Sequence, residues 1–211
     1  MLDTIGDLVV INLPERQDRR QEFTQQLTRI GLSESDPRVR FFSAIRPDNA
    51  GPFRTIGARG CFLSHLGILR QACAEGADRI LICEDDLNFS SDFNLRAPDI
   101  MASLAGHEWD IFYGFPPDQA TSQADGLVLI PGDQPLICTH FMALRRPALE
   151  AVFPILTGCS PARVAILRAG RWMWMAPIAG SGANTRRCEP SPLLPPWDTS
   201  ARQERMSPSR G

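Results

Sequence analysis

Short apolar segments alternate with amphipathic ones along most of the chain, and this alternation predicts strands and helices. Segments 8–13, 40–45 and 79–83 are short and mostly apolar, which is typical of buried strands. Segments 15–30 and 58–74 carry apolar residues at three- and four-residue steps, and a glycine follows each of them, as expected of helices. The order strand, helix, strand, helix, strand predicts an α/β fold with a mostly parallel central sheet.

The later part of the chain continues this pattern and then loses it. Segments 109–113, 127–130 and 137–144 predict further strands, and segment 146–156 predicts a short helix. From about residue 158 onward Pro, Ser, Gly and Arg dominate, and neither the helical nor the strand period holds. Such a composition is typical of irregular chain.

Length and charge limit what this fold can do. The 211 residues suffice for one well-buried domain, which we place at residues 1–157, with residues 158–211 as an irregular segment after it. A net charge of −2 provides no basic surface for nucleic acid, and the six scattered cysteines predict reduced, structural thiols. There is no secretory signal and no long apolar run. We therefore expect a cytoplasmic protein, bound at most peripherally to the inner face of the cytoplasmic membrane.

Three consecutive carboxylates, Glu84, Asp85 and Asp86, follow the predicted strand 79–83. The carboxyl ends of strands are where open α/β sheets bind ligands. Carboxylates this close repel one another unless a cation lies between them, so a hard divalent metal ion is their natural partner. The alternative is a solvated acidic turn.

Polar residues also mark the end of the first strand and the start of the first predicted helix. Asn12 lies at the end of segment 8–13, Arg16 and Arg20 come after it, and the two arginines share a helix face near its N-terminus. Cations are unfavourable at that end of a helix, so an anionic ligand would explain them. The spacing alone favours a solvated charged face instead.

Ser64 and His65 lie in the first turns of the predicted helix 58–74. His65 is at the margin of the apolar face, where a hydrogen-bonded core histidine and a ligand-binding histidine are equally compatible with the pattern. Nothing in the sequence places a third partner for a Ser/His/Asp arrangement.

Three motifs together resemble glycosyltransferase family 25, the bacterial lipooligosaccharide-galactosyltransferase type. They are segment 9–13 with Arg16 and Arg20, segment 60–65, and segment 80–86, in matching order and spacing. Thr139 and His140 with segment 142–148 are similar to a later strand and helix of the family. The resemblance implies a GT-A-like nucleotide-diphospho-sugar transferase sandwich, here incomplete at its C-terminus, and a hexose transfer assisted by Mn²⁺ or Mg²⁺.

The resemblance also implies roles for individual residues and partners. Glu84 and Asp86 would hold the metal ion, and the donor, UDP-galactose, would bind at a set of six residues. The acceptor would be a glycan or glycolipid, typically a lipooligosaccharide or lipopolysaccharide sugar. The six donor-binding residues are Asn12, Arg16, Arg20, Ser64, His65 and Asp85.

Segment 158–211 departs from the family pattern, because it lacks the family's further Asp and its Tyr-Gln-Arg-type strand. Trp172–Met175 has a single possible coding sequence, and the same bases read from the third base of the preceding codon encode Asp-Val-Asp-Gly. In that frame residues 195–201 permit Pro-Leu-Gly-Tyr-Gln-Arg. We therefore expect a frameshift upstream of Arg171, poor packing with exposed tryptophans after residue 160 and no assignable catalytic residue, which leaves the activity of the chain as written open. A genuinely divergent tail is the alternative.

Two other function classes stay open at this point. One is a metal-dependent phosphohydrolase that uses the same acidic cluster, although such enzymes are expected to place carboxylates at several strand ends. The other is a non-catalytic remnant that binds a nucleotide sugar without turnover.

Overall fold

A computed structural model of the protein describes residues 1–114, 127–130, 139–156 and 172–175. Five helices and seven strands lie within these residues. In chain order they are α1 (Leu2–Ile5), β1 (Asp7–Asn12), α2 (Gln17–Arg29), β2 (Val39–Ser43), α3 (Ile56–Glu75), β3 (Arg79–Glu84), α4 (Phe93–Ala105), β4 (Ile111–Tyr113), β5 (Leu127–Ile130), β6 (Phe141–Arg145), α5 (Arg146–Leu156) and β7 (Trp172–Met175).

The seven strands form one sheet in the order β2-β1-β3-β6-β4-β7-β5. β1 pairs in parallel with both β2 and β3, and β4 pairs in parallel with β7. β6 runs antiparallel to its neighbours β3 and β4, and β5 runs antiparallel to β7. Five of the seven described strands therefore share one direction, which confirms the predicted α/β class and the mostly parallel sheet.

Successive residues of the central strands pack on opposite faces of this sheet. Val10 belongs to a buried cluster with Phe23 of α2 and the apolar face of α4. Its neighbour Val9 belongs to a second cluster with Ile68 of α3 and Leu149 of α5. Helices thus cover both faces, and this explains why the central strands are continuous apolar runs rather than alternating ones.

Capping residues set the limits of α3, the helix that carries Ser64 and His65. Thr55 is its N-cap, and the Thr55 hydroxyl accepts a hydrogen bond from the Ala58 amide at 3.0 Å. Gly76 ends the helix in the left-handed conformation, with φ of 68°, which favours glycine. The helix predicted over residues 58–74 is confirmed and extends two residues further at its N-terminal end and one residue further at its C-terminal end.

The sequence pattern does not predict α4. Pro98 lies inside this helix, where proline normally removes a hydrogen bond and disfavours the helical path. One face of α4 nevertheless buries Phe93, Ala97, Ile100 and Leu104 against the sheet. The apolar area removed from water offsets the cost of the proline.

β7 comes from the segment expected to be irregular. Its backbone lies between β4 and β5, so one strand of the sheet comes from beyond residue 157. The expectation that all of segment 158–211 is irregular is therefore wrong for residues 172–175. The rest of that segment, and the burial of its three tryptophans, lie outside the described residues. The frameshift itself stays a prediction.

Within the described ranges, none of the helices combines the length and the apolar character that a bilayer span requires. Cys61, Cys73 and Cys83 are free thiols, as predicted. The remaining three cysteines lie outside the described part of the chain.

Candidate functional site

A pocket of about 840 Å³ opens at the carboxyl ends of β1 and β3. Its walls are the residues that follow β1, segment 44–48, the first half of α3 and the end of β3. The parallel register places Ile11 beside Glu84, and the Asp85 amide donates to the Ile11 carbonyl at 3.2 Å. The acidic triplet therefore lies next to the end of β1, at the edge of the sheet where the sequence placed a ligand site.

Asp85 is held from the side of β1 and α2. Asn12, which is 4% exposed, donates from Nδ2 to Asp85 Oδ2 at 2.7 Å and to the Arg16 carbonyl at 3.2 Å. Arg19 Nη1 donates to the other oxygen, Asp85 Oδ1, at 3.1 Å. Both carboxylate oxygens of Asp85 are thus engaged, and Asn12 supports the site through Asp85 rather than lining the pocket.

Glu84 and Asp86 point the other way, toward the start of β6. Glu84 Oε1 accepts from the Thr139 hydroxyl at 3.1 Å, while Glu84 Oε2 lies 3.9 Å from His140 Nε2. Asp86 Oδ1 lies 3.6 Å from the same imidazole nitrogen. The three ligand atoms of Glu84, Asp86 and His140 fall within 4.8 Å of one another. Two carboxylates and an imidazole form a donor set that fits a divalent cation.

The arginines of α2 divide between the pocket and the outer surface. Arg16 lines the pocket and pairs with Asp18 at 2.6 Å, an ion pair that lowers the pKa of the Asp18 carboxyl to about 2. Arg20 instead pairs with Glu34, and its guanidinium lies 4.2 Å from the centre of the Phe41 ring. Arg20 is not among the residues that line the pocket.

Arg19 occupies the position that the sequence analysis gave to Arg20. It lines the pocket and donates to Asp85 at 3.1 Å and to Asp86 at 3.5 Å. Residues three apart on a helix share a face, as residues four apart do. The spacing therefore allows Arg16 to share a face with Arg19 as well as with Arg20. Only the packing of α2 shows which pair faces the acidic triplet.

Ser64 lies in the pocket wall and joins two of its parts. Its hydroxyl donates to the Gly60 carbonyl at 2.7 Å and accepts from the Ile45 amide at 2.8 Å. A side chain at residue 60 would come within 2.6 Å of the Ile45 carbonyl oxygen, so glycine is what lets segment 44–48 lie this close to α3. Ser64 and Gly60 together shape the wall opposite the arginines.

His65 lies behind that wall. It is 7% exposed, and its Nδ1 contacts the Cys61 carbonyl at 2.9 Å, while Nε2 has no hydrogen-bond partner among the described residues. Such burial agrees with the core-histidine alternative. Its role in donor binding stays a prediction.

Cys61 also lines the pocket, next to Glu84. Burial, followed by the nearby Glu84 charge, raises the pKa of the Cys61 thiol to about 12. The thiol therefore stays protonated at neutral pH, with its sulfur 3.6 Å from Glu84 Oε1. This geometry suits a weak hydrogen-bond donor to Glu84 and not a nucleophile.

Comparison with known proteins finds relatives that belong to one named family. A human protein named inactive glycosyltransferase 25 family member 3 is 33% identical over 125 residues, which cover 51% of this chain and 21% of that protein. An Anopheles gambiae glycosyltransferase 25 family member is 30% identical over 130 residues, covering 52% of this chain and 22% of its own length. Procollagen galactosyltransferase 1 of Danio rerio is 27% identical over 125 residues, covering 51% and 21%. The chain spans about a fifth of the length of these curated relatives.

The family model for glycosyltransferase family 25 (LPS biosynthesis protein) matches residues 7–113, half of the chain. The matched part runs from β1 to β4 and contains the acidic triplet, both pocket arginines and the first half of α3. The resemblance drawn from the sequence motifs is therefore confirmed. This chain belongs to glycosyltransferase family 25.

Proposed function

We propose that the chain is a GT-A-like hexosyltransferase domain that takes galactose from UDP-galactose and transfers it to a glycan or glycolipid acceptor. The observation that carries the proposal is the pocket at the ends of parallel β1 and β3, bordered by the acidic triplet, in a family 25 chain. The name of the Danio rerio relative supports galactose, and the family description supports a lipopolysaccharide-type acceptor. A cytoplasmic site of action, at most peripheral to the membrane, belongs to the same proposal.

Donor binding follows from the charges around the pocket. Arg16 and Arg19 place two guanidinium groups in its wall, and guanidinium groups bind phosphate oxygens well. Glu84 and Asp86 would hold Mn²⁺ or Mg²⁺, which when bound would neutralise charge on the diphosphate. Ser64 and Asp85 line the same pocket, and Asn12 positions Asp85.

The proposed reaction exchanges one bond at the anomeric carbon for another. An acceptor hydroxyl oxygen bonds to the anomeric carbon while the bond between that carbon and the diphosphate oxygen breaks. The nucleoside diphosphate leaves with the electron pair of the broken bond. The hydroxyl proton passes to a general base. We assign the base to the Asp encoded in the shifted frame, so the chain as written is expected to lack turnover until the frame is restored.

The second candidate function is donor binding without transfer. The human relative carries the word inactive in its name, which favours this candidate. Restoring the reading frame separates the two candidates: it should yield transferase activity if the frameshift is real. Resequencing the gene upstream of Arg171 tests the frameshift directly. If no shift is found there, and the restored chain has no activity, the frameshift is refuted.

The direct test incubates the purified chain, both as written and with the reading frame restored, with several radiolabelled sugar nucleotides and Mn²⁺, with and without a lipooligosaccharide acceptor. Transfer, release of free sugar and binding alone correspond to the transferase, the phosphohydrolase and the binding remnant. Asp86→Asn should abolish metal-dependent UDP-galactose binding in calorimetry. Asp78→Asn is the matched control, because Asp78 precedes the opposite end of β3 and pairs there with Arg146 at 2.9 Å. Equal donor affinity in both variants, with and without Mn²⁺, would refute the site.

A further inference from the structure

The pairing of β3 with β6 brings His140 against the acidic triplet. Cys83 lies opposite Phe141 in the antiparallel register, so the residues that follow and precede them, Glu84 and His140, come together at the sheet edge. The Glu84 amide donates to the His140 carbonyl at 3.1 Å, which fixes the two backbones to each other. The position of His140 is thus built into the sheet and does not depend on a long side-chain reach.

Each of the two outward carboxylates has one oxygen held by neighbours and the other near His140. Glu84 Oε1 accepts from Thr139, and Oε2 lies 3.9 Å from His140 Nε2. Asp86 Oδ2 lies 3.5 Å from Arg19, and Oδ1 lies 3.6 Å from the same nitrogen. Contacts of this kind orient metal ligands in known sites.

These separations match those between ligands of one ion. Two atoms that each lie about 2.1 Å from an octahedral cation are roughly 3 to 4.2 Å apart. The side chains of Glu84 and His140 are 21% and 25% exposed, so a cation can reach them from solvent while most of their surface is packed.

We infer that His140 is the third protein ligand of the divalent-cation site, and that its imidazole gives the site a preference for Mn²⁺ over Mg²⁺. This inference rests on the proposed metal site at Glu84 and Asp86. Imidazole nitrogen suits first-row transition ions, whereas Mg²⁺ prefers oxygen ligands throughout. A site of two carboxylates alone would show little such preference.

A second cluster of possible ligands, Cys61, His65 and Glu84, shares one residue with this site. There the Nδ1 atom of His65 lies 2.9 Å from the Cys61 carbonyl, which occupies that nitrogen, and the other ring nitrogen, Nε2, is buried away from solvent. The geometry therefore favours His140 over His65 as the nitrogen ligand.

Mn²⁺ titration followed by electron paramagnetic resonance, on the full chain without a histidine tag, tests the inference. His140→Gln should weaken Mn²⁺ binding at least about tenfold, the lower end of what supporting residues alone contribute. Mg²⁺ affinity, measured by displacement of Mn²⁺, should change much less. His107→Gln is the matched control, because His107 is exposed at the end of α4 and its Nδ1 contacts the Ser103 carbonyl.

Pulsed measurements on bound Mn²⁺ give a direct readout of the nitrogen ligand. The chain has three histidines, so the double variant His65→Gln with His107→Gln keeps only His140 and should retain the imidazole nitrogen coupling. Loss of the coupling in this double variant, or its survival in His140→Gln, would overturn the inference. If Asp86→Asn releases Mn²⁺ while His140→Gln binds it normally, His140 is not a ligand but the proposed metal site stands. Normal Mn²⁺ binding in both variants refutes both.

Discussion

Asn12 joins the end of β1 to the acidic triplet, and replacing it with alanine removes that junction. The amide donates to the Asp85 carboxylate at 2.7 Å and to the Arg16 carbonyl at 3.2 Å. Asn12 is 4% exposed and the Asp85 side chain 10% exposed, so water can replace these bonds only in part. A hydrogen bond to a charged group contributes about 1.5–3 kcal/mol, so Asn12→Ala should lower the free energy of unfolding by about 2–3 kcal/mol.

Urea unfolding followed by circular dichroism measures this loss, and for a chain of this size it corresponds to a melting temperature lower by roughly 4–12 °C. Asn94→Ala is the matched control. Asn94 Nδ2 donates to the Arg29 carbonyl at 2.7 Å, but at an exposed site and to a neutral acceptor. That control should lose about 0.5 kcal/mol or less, because water replaces the partner.

A double-mutant cycle assigns the effect to the bond itself. Asn12→Ala and Asp85→Ala should be non-additive by about 1–2 kcal/mol, as expected for side chains in direct contact. Two results would refute the reasoning: strictly additive losses in the cycle, or equal losses in Asn12→Ala and Asn94→Ala.

Three further predictions concern single side chains around the pocket. Arg16→Ala should raise the pKa of the Asp18 carboxyl, measured by NMR titration, from about 2 toward 3.8. Because the ion pair lowers this pKa in the folded state, its stabilisation is lost as the pH falls through that range. An unchanged titration midpoint would contradict the pairing. Alkylation of the Cys61 thiol at pH 8, followed by mass spectrometry, should be at least tenfold slower than that of a free peptide thiol, because burial raises its pKa to about 12; rapid alkylation would exclude this. Arg19→Ala should weaken UDP-galactose binding, measured by calorimetry, about tenfold, since a charge-assisted hydrogen bond contributes about 1.5–3 kcal/mol. Arg20→Ala should leave the affinity nearly unchanged. A larger loss of affinity in Arg20→Ala than in Arg19→Ala would return Arg20 to the site.

Several parts of the site could be predicted because they depend on local sequence. The apolar runs before Asn12 and Glu84 define β1 and β3, and parallel strands with helical crossovers place their carboxyl ends side by side. A pocket next to the acidic triplet follows from these rules without knowledge of the rest of the chain.

Helix α4 shows where local rules fail. Pro98 lowers the helical propensity of the segment, and the compensating burial against α1 and the sheet involves residues distant in sequence. The backbone of β7, taken from a segment without strand periodicity, shows the same limit. In both cases the deciding free energy comes from packing partners that the segment itself does not contain.

Local sequence is enough to predict the strand–helix order from β1 to β3, the position of the acidic triplet and the glycine that ends α3, because each depends on neighbours along the chain. Only the tertiary structure decided that Arg19 rather than Arg20 faces the triplet, since the rotation of α2 is set by Phe23 and Leu27 in the core. Only the antiparallel pairing of β6 with β3 placed His140 beside Glu84. The pairing of two distant strands does not produce a periodic pattern in either segment. The sequence pattern alone therefore could not place His140 beside the acidic triplet.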